Sequence, residues 1–210
     1  MNILVFEFIT GGGLCNQDFP DSLLEEGSIM MKALVEYLLR LNDVQLYVPL
    51  DRRLNANDRL PSSDRLHIIE IAEGKTTEDI LSGLLADCDA VWPVAPESDH
   101  ILSAICTSVE EQNQILLSSS SQATDLTGDK YITYSRLNHF EIPVVPTTRF
   151  SDRREAIDGE WVLKPVDGVG CEGIYIIRNQ SEFQQALQAV ENRTEYIIQP
   201  YITGISLSLS

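Results

Sequence analysis

The stretch "WVLKPVDGVGCEGIYIIRN", residues 161–179, sets three glycines between two apolar segments and decides the fold of the second half of the chain. Gly168, Gly170 and Gly173 have the spacing G-x-G-x-x-G, which in a dinucleotide-binding fold follows a strand and opens a helix. Here the glycines are followed by Ile-Tyr-Ile-Ile, a composition typical of a strand. The stretch therefore predicts a glycine-rich loop between two strands, with Lys164 just in front of it.

Two interpretations of this loop are open from the residues alone. One is a long hairpin turn, because glycine adopts positive φ at little cost. The other is a flap whose backbone N–H groups close over phosphates, which Lys164 would reach as a point charge. A protein kinase is excluded, since neither H-R-D nor D-F-G follows Gly173. A P-loop NTPase is also excluded, because G-x-x-x-x-G-K-[ST] is absent.

The composition is that of a globular protein with an acidic surface. Hydrophobic residues make up 43% of the chain, and the formal net charge is −17. That charge argues against a nucleic-acid partner, because phosphate backbones repel it. No apolar run approaches the roughly 20 residues that cross a bilayer, so no membrane partner is expected. Widely spaced cysteines favour a reduced, cytoplasmic protein without a disulfide framework: Cys15, Cys88, Cys106 and Cys171.

Strands and helices alternate in the first part of the chain. Strands are predicted at residues 2–9, 44–50, 67–72, 89–94 and 114–119. Helices are predicted between Glu25 and Asn42, from Thr76 or Thr77, and around Ile101. In the first helix, the residues that recur at helical spacing are Met30, Leu34, Leu38 and Leu41. This alternation predicts an α/β fold, a Rossmann-like parallel sheet with right-handed crossovers.

The pattern changes to α+β after about residue 120. A helix at 126–139 is followed by strands at 142–150 and 161–165 without a full helix between them. The glycine loop leads into the next strand, and Ser181–Gln184 has the S-x-x-Q pattern of a capping box. A last strand is predicted in "EYIIQPYI". The predicted domains are 1–120, 121–195 and 196–210.

Three of these stretches resemble successive motifs of the ATP-grasp superfamily, a group of ATP-dependent carboxylate–amine or carboxylate–thiol ligases. They are "LTGDKYITYSRLNHFEIPVVPT", "WVLKPVDGVGCEGIYII" and "YIIQPYITGISLSLS". The segments "EFITGGG", "WPVAPESDHIL" and "LLSSSSQATDLTGDK" resemble the tyramine–L-glutamate ligase branch, which acts in methanofuran-type cofactor biosynthesis. The resemblance spans the whole chain and implies a small ATP-grasp subdomain at 121–195.

The resemblance implies an ATP site in the second half of the chain. The phosphates would meet two lysines and the glycine flap, at Lys130, Lys164, Gly168, Gly170 and Gly173. The adenine would meet an amide and the hinge backbone, at Gln199, Tyr201 and Ile202. Ser206 stands where the superfamily often has a glutamate that binds the ribose.

Candidates on the substrate side lie at the carboxyl ends of the predicted N-terminal strands, where an open α/β sheet places its ligand. They are Glu7, Gly11, Gly12, Gly13 and Glu97. For the three glycines, a tight turn without a ligand and a ligand-binding turn are equally consistent with the residues. The three histidines lack the spacing of a metal site and are interpreted as structural or exposed.

The implied reaction forms an amide from a carboxylate and an amine, with L-glutamate and tyramine as the expected pair. ATP and Mg²⁺ (or Mn²⁺) are the implied cofactors, but the superfamily's metal ligands lie beyond the hinge, so none is expected within this chain. The 210 residues alone are therefore expected to be inactive, to bind ATP weakly, and to form dimers or aggregates joined near residues 200–210. The alternative is a nucleotide-binding or scaffold protein that has lost catalysis.

Overall fold

The computed structural model describes residues 1–153, 158–168, 173–205 and 207. Two compact units divide the chain, Met1–Asp125 and Leu126–Ser210. The first unit holds a parallel sheet and the second an antiparallel one, so the predicted fold class is confirmed. Among the described helices, none is long and apolar enough to span a bilayer.

Unit 1 alternates strands and helices as predicted. Its main elements are β1 (Asn2–Glu7), α1 (Asp21–Leu38), β2 (Gln45–Asp51), α2 (Ala56–Arg59), β3 (Leu66–Ile71), α3 (Thr77–Leu84), β4 (Ala90–Val94), α4 (Ile101–Glu111), β5 (Ile115–Leu116) and α5 (Ser121–Gly128), which carries the boundary with unit 2. Within the described residues, the sheet has the order β3-β2-β1-β4-β5 with every pair parallel. The chain order therefore reverses between β1 and β4.

The two faces of this sheet are covered by different helices. Ile3 and Val5 of β1 pack on one face with buried residues of α1, while Leu4 and Phe6 pack on the other with α3 and α4. Alternate side chains of a strand point to opposite faces, and both faces of a parallel sheet are normally covered. β1 is accordingly apolar from Ile3 to Phe6, between Asn2 and Glu7 at its two ends.

Helix α1 differs from its prediction in both position and rotation. It runs from Asp21 to Leu38 instead of lying between Glu25 and Asn42. Its buried residues are Gly27, Met31, Val35 and Leu38. Met30 and Leu41, two members of the predicted apolar set, are 47% and 48% exposed. Leu38 is buried and Leu34 packs against the core, so these two members of the predicted set are correct, and the buried side of the helix is rotated relative to the prediction.

A buried carboxylate explains why Gly27 lies on the packed side of α1. Glu7 is 2% exposed and accepts hydrogen bonds from the backbone of Ile9 and Thr10 and from the Thr10 hydroxyl. Burial raises the pKa of Glu7, because removal from water disfavours the charged form. A Cβ atom on Gly27 would lie 2.8–2.9 Å from the Glu7 carboxylate. The close approach of helix and carboxylate therefore requires glycine.

Unit 2 continues with α6 (Lys130–His139), β6 (Thr148–Arg149), β7 (Trp161–Pro165), β8 (Tyr175–Ile177), α7 (Gln180–Ala189) and β9 (Tyr196–Pro200). The described strands pair antiparallel in the order β6-β9-β7-β8. α7 covers one face of this sheet, where Phe183 meets Phe150 edge to face with ring centroids 5.9 Å apart. β7 and β8 lie on either side of the three glycines, so the predicted strands before and after them are confirmed. Residues 169–172 of the predicted loop lie outside the described residues.

Two local predictions in unit 2 are wrong. The strand expected at 142–150 is reduced to Thr148–Arg149, since Pro143 and Pro146 lack the N–H groups that a strand ladder needs. The cap of α7 is Asn179, not Ser181, because the Asn179 side chain accepts from the Glu182 N–H at 3.0 Å. In α3, by contrast, the sequence predicted a helix start at Thr76 or Thr77. Thr76 is the N-cap and forms a complete capping box with Asp79.

The Gly27 contact predicts opposite effects for two glycine-to-alanine changes in helices. Gly27→Ala should lower the free energy of unfolding by about 1 kcal/mol, because overpacking costs roughly 1–3 kcal/mol and alanine's helix propensity returns about 1. Gly83→Ala in α3 is the control, since a Cβ there meets nothing within 4 Å. It should stabilise the protein by about 0.5 kcal/mol. Urea denaturation measures both, and a gain at both sites would contradict the close contact.

Candidate functional site

The sheet face opposite α7 in unit 2 carries the polar residues that the sequence singles out. In the β7–β9 register, Val162 faces Gln199 and Lys164 faces Ile197. Directly paired residues share a face, as do residues two apart on one strand. Lys164 and Gln199 therefore lie on the same side of the sheet, while Leu163 and Ile198 fill the core under α7.

Lys130 holds the start of the glycine loop. It is the first residue of α6, after the N-cap Asp129, whose carboxylate accepts from the backbone N–H groups of Tyr131 and Ile132. The Lys130 ammonium donates to the carbonyl oxygens of Asp167 and Gly168 at 2.8 and 3.1 Å. Its backbone N–H donates to the Val166 carbonyl at 2.7 Å. Two residues that are 38 positions apart are thus joined at the loop's base.

Lys164 lies close enough to Lys130 for the two positive charges to repel. Burial lowers the pKa of Lys164, and the charge of Lys130 lowers it further. Lys164 is half-buried, and among the residues that the structure describes its ammonium has no hydrogen bond or ion pair. Two adjacent ammonium groups, one without an acidic partner in the described chain, form a site whose natural complement is an anion.

A buried hydroxyl fixes the orientation of the Gln199 amide. The Thr147 hydroxyl donates to the Val145 carbonyl at 2.9 Å and so has no second proton to give. It must therefore accept the hydrogen bond from Gln199 Nε2, which is 2.7 Å long. The Gln199 Oε1 atom is left as an acceptor without a partner among the described residues. Sequence reasoning found Gln199 but missed Thr147, since their contact spans 52 positions.

The remaining predicted ATP residues lie at the ends of β7, β8 and β9. The Tyr201 N–H donates to the Glu160 carbonyl at 2.8 Å, so its carbonyl and the backbone of Ile202 are the hinge groups that a ligand could reach. Gly168 and Gly173 have φ of +91° and +66°, and a Cβ on Gly173 would lie 2.9 Å from the Tyr196 hydroxyl. Gly170 and Ser206 lie outside the described residues.

A further basic side chain shares this face, and the sequence motifs did not single it out. Arg149 pairs with Ile197 across β6 and β9, and Ile197 faces Lys164. The guanidinium lies 4.4 Å from the centre of the Tyr131 ring and donates to the Thr194 carbonyl at 3.0 Å. Strand pairing therefore concentrates positive charge here, within a chain whose net charge is −17.

In unit 1 the predicted substrate-side residues lie where the strands end, but most are packed inside. Gly11 and Gly12 are buried in the turn Ile9–Gly13, and Gly12 has φ of +101°. A Cβ on Gly13 would lie 2.4 Å from the Phe8 ring. Close packing therefore accounts for these glycines, as it does for the buried Glu7 described above. Glu97 follows β4 and is exposed.

The segment after the glycine turn is held by Arg53, another residue that the sequence motifs did not single out. Arg53 donates to the carbonyls of Leu14 and Gln17, each at 2.7 Å. It is itself fixed by Asp51 through bonds of 2.9 and 2.7 Å. Its guanidinium lies 4.0 Å from the centre of the Phe19 ring. This clamp gives the loop a defined shape at the carboxyl edge of the sheet.

A cavity of about 460 Å³ lies in unit 1 beside the first residues of α3 and α4. Its lining is half apolar, and the polar half includes two acidic residues, Glu78 and Asp99, together with His100. Asp99 and His100 have φ of +54° and +58°, a conformation that non-glycine residues rarely adopt and that often marks functional sites. His100 Nδ1 lies 2.7 Å from an oxygen of Asp125. The sequence analysis interpreted His100 as structural or exposed, and it is exposed, but its positive φ and its contact with Asp125 were not predicted.

Side chains that could bind a metal ion are not clustered in the residues that the structure describes. No group of three or more His, Cys, Asp or Glu side chains lies close enough to hold a metal ion in the part of the chain that the structure covers. Magnesium is normally held by carboxylates together with substrate phosphates. The polar face of unit 2 offers lysines, an arginine and an amide instead.

Comparison with known families agrees with this architecture. The pre ATP-grasp 3 domain family matches residues 44–124, and the ATP-grasp domain family matches residues 127–210. The chain is 27% identical over 211 residues to the tyramine–L-glutamate ligase of Methanocaldococcus fervens, covering 99% of this chain and 61% of that protein. The chain thus spans about six tenths of the length of the curated relative it matches.

Solved structures share the fold. An ATP-grasp superfamily protein from Archaeoglobus fulgidus matches with a TM-score of 0.66 and 22% identity, over 97% of this chain and 54% of that one. N5-carboxyaminoimidazole synthetase from Staphylococcus aureus, solved with ADP, matches with a TM-score of 0.62 and 18% identity, over 96% and 47%. The solved structures show a shared fold, and the two family matches together cover most of the chain, which belongs to the ATP-grasp superfamily as a pre-ATP-grasp domain followed by an ATP-grasp domain.

Proposed function

We propose that unit 2 binds ATP and that the protein is an ATP-dependent carboxylate–amine ligase. The observation that carries the proposal is the pair of mutually repelling ammonium groups, Lys130 and Lys164, beside a glycine-rich loop. The triphosphate would neutralise both lysines, and backbone N–H groups of the loop would add donors. ATP-grasp membership supports this assignment.

The proposed reaction has two steps. A carboxylate oxygen of one substrate attacks the γ-phosphorus of ATP, forming an acyl phosphate and releasing ADP. The nitrogen of an amine then attacks the acyl carbon, inorganic phosphate leaves, and an amide bond forms. The two lysines and Arg149 would stabilise the charge on the transferring phosphoryl group.

Adenine would be read by the amide that Thr147 orients. With Nε2 committed to Thr147, Gln199 presents Oε1, which accepts a hydrogen bond from the 6-amino group of adenine. Guanine has an oxygen at that position, so two acceptors would face each other. Together with the backbone at Tyr201 and Ile202, this arrangement favours ATP over GTP.

For the substrates we propose L-glutamate as the carboxylate and tyramine as the amine, the pair named by the curated relatives. The cavity in unit 1 supports an aromatic amine, because the apolar half of its lining suits a ring and the acidic residues suit an ammonium group. Glu7, Glu97 and the glycine turn remain predicted substrate-side residues. A cytoplasmic location is proposed with the reaction, since Cys15, Cys88 and Cys106 are free thiols.

The first prediction concerns the ammonium pair. Lys164→Met should weaken ATP binding roughly tenfold or more, since a hydrogen bond to a charged group contributes about 1.5–3 kcal/mol. Lys75→Met, at an exposed position in unit 1, is the control and should leave the affinity unchanged. Because the pKa of Lys164 is lowered and a bound anion raises it, Lys164 should take up a proton when ATP binds at alkaline pH. Calorimetry in buffers of different ionisation enthalpy measures the ATP affinity and the proton uptake. Equal ATP affinity of Lys164→Met and Lys75→Met would contradict a role for Lys164 in ATP binding.

A second prediction tests recognition of the adenine base, independently of the phosphates. The parent chain should prefer ATP to GTP, and Thr147→Val should reduce that preference by releasing the Gln199 amide. Thr107→Val on α4 makes the same change far along the chain and should have no effect. Competition binding of the two nucleotides gives the ratio. An unchanged ratio in Thr147→Val would contradict the proposed role of the amide.

A third prediction tests the reaction itself, with the polypeptide from the complete reading frame. Phosphate release should require ATP, L-glutamate and an amine together, and tyramine should be a good amine. Ala104→Phe, which narrows the cavity of unit 1, should raise KM for the amine and leave KM for ATP unchanged. ATP binding without phosphate release in a screen of amino acids and amines would favour the alternative, a nucleotide-binding or scaffold protein without catalysis.

A further inference from the structure

Helix α1 carries a second apolar stripe on the side away from the sheet. Three large side chains are strongly exposed: Ile29 is 61% exposed, Met30 47% and Tyr37 60%. Ala33, also exposed, lies between them. At 100° per residue these four positions fall within an arc of roughly 100°, the width of a helix-packing face. We call Glu26, Ile29, Met30, Ala33, Tyr37 and Arg40 the outer face of α1.

Charges mark the two ends of the outer face. Glu26 lies at the amino end and Arg40 just after the carboxyl end, both exposed. In the part of the chain that the structure describes, neither side chain makes an ion pair or a side-chain hydrogen bond. The nearby pair Lys32–Glu36, at 3.9 Å, is satisfied within the helix and flanks the face. The outer face therefore has an apolar centre with an unpaired acid at one end and an unpaired base at the other.

This arrangement is complementary to itself. Two copies packed antiparallel about Ala33 place Ile29 against Tyr37 and Glu26 against Arg40, twice over by symmetry. Each charge lies about 10 Å from Ala33 along the axis at a rise of 1.5 Å per residue, so long side chains reach each other at a crossing angle of about 20°. A parallel pair would oppose Glu26 to Glu26 and Arg40 to Arg40. The small residue lies where two backbones approach most closely.

We propose that the outer face of α1 is a dimerisation surface whose occupant is a second copy of this chain, packed antiparallel about a two-fold axis at Ala33. An isologous interface must be its own complement, and this face satisfies that requirement in shape and in charge. The surface is one helix wide, and a standard stable interface buries roughly 1,200–2,000 Å², so the dimer is expected to depend on protein concentration. The proposal stands independently of the ligase reaction.

The test is charge exchange, read by sedimentation equilibrium of the 210-residue chain. The parent should show a monomer–dimer equilibrium. Glu26→Arg and Arg40→Glu should each raise the dissociation constant roughly tenfold or more, because each turns two attractions into two repulsions. The double variant carrying both changes should restore dimerisation. Glu111→Arg, the same charge change at an exposed position on α4, is the control and should match the parent.

Three outcomes would overturn the proposal: a parent that is monomeric throughout, single variants that associate like the parent, or a double variant that does not recover. The second outcome would place self-association elsewhere, such as residues 200–210. Ala33→Cys gives a check that does not depend on charge, because the two thiols would meet at the axis and form a covalent dimer under a mild oxidant. Ser82→Cys on α3, also exposed, should not do so. Equal cross-linking of the two variants would likewise reject the α1 pairing.

Discussion

The closeness of Lys130 and Lys164 is the constraint on which the candidate site of the second unit depends. In a chain with a net charge of −17, positive charge is scarce, yet two ammonium groups and Arg149 gather about one sheet face. Such an arrangement is unfavourable unless something compensates for it. Carbonyl groups at the base of the glycine loop compensate for Lys130, whereas the described residues leave Lys164 uncompensated. The uncompensated ammonium group of Lys164 therefore favours an anionic ligand, independently of any sequence motif.

Strand register then determines which other groups join the lysines. Because β7 and β9 pair antiparallel, Gln199 falls on the face of Lys164, and the β6 pairing adds Arg149. The sequence predicted the lysines and the amide through the superfamily resemblance, since those residues lie inside recognisable stretches. It could not predict Thr147 or Arg149. Their roles arise from partners about fifty positions away, and a hydroxyl or a guanidinium at or beside a two-residue strand gives no local signal.

The fold shows the same division between local and tertiary causes. Strand segments rich in β-branched residues were predictable one by one, as was the glycine loop, since composition alone distinguishes a strand from a helix after the glycines. The rotation of α1 was not predictable, because two overlapping sets of residues recur at helical spacing, one with Met30 and one with Met31, and both include Leu38. The choice depends on Gly27 fitting against Glu7, a contact between a helix and the end of a strand that are twenty positions apart. The cap of α7 at Asn179 was missed because a serine two residues later fits the same pattern.

The fit of Gly27 against Glu7 has a mechanical consequence. A helix that touches a buried, hydrogen-bonded carboxylate has little freedom to roll about its own axis. Whatever displaces Glu7 at the carboxyl edge of the sheet must turn or shift α1, and with it the side chains on the far side of the helix. Thermodynamic linkage makes this reciprocal: a contact that holds the outer side of α1 also restrains the carboxylate. The position of Glu7 and the orientation of α1 are therefore expected to be coupled.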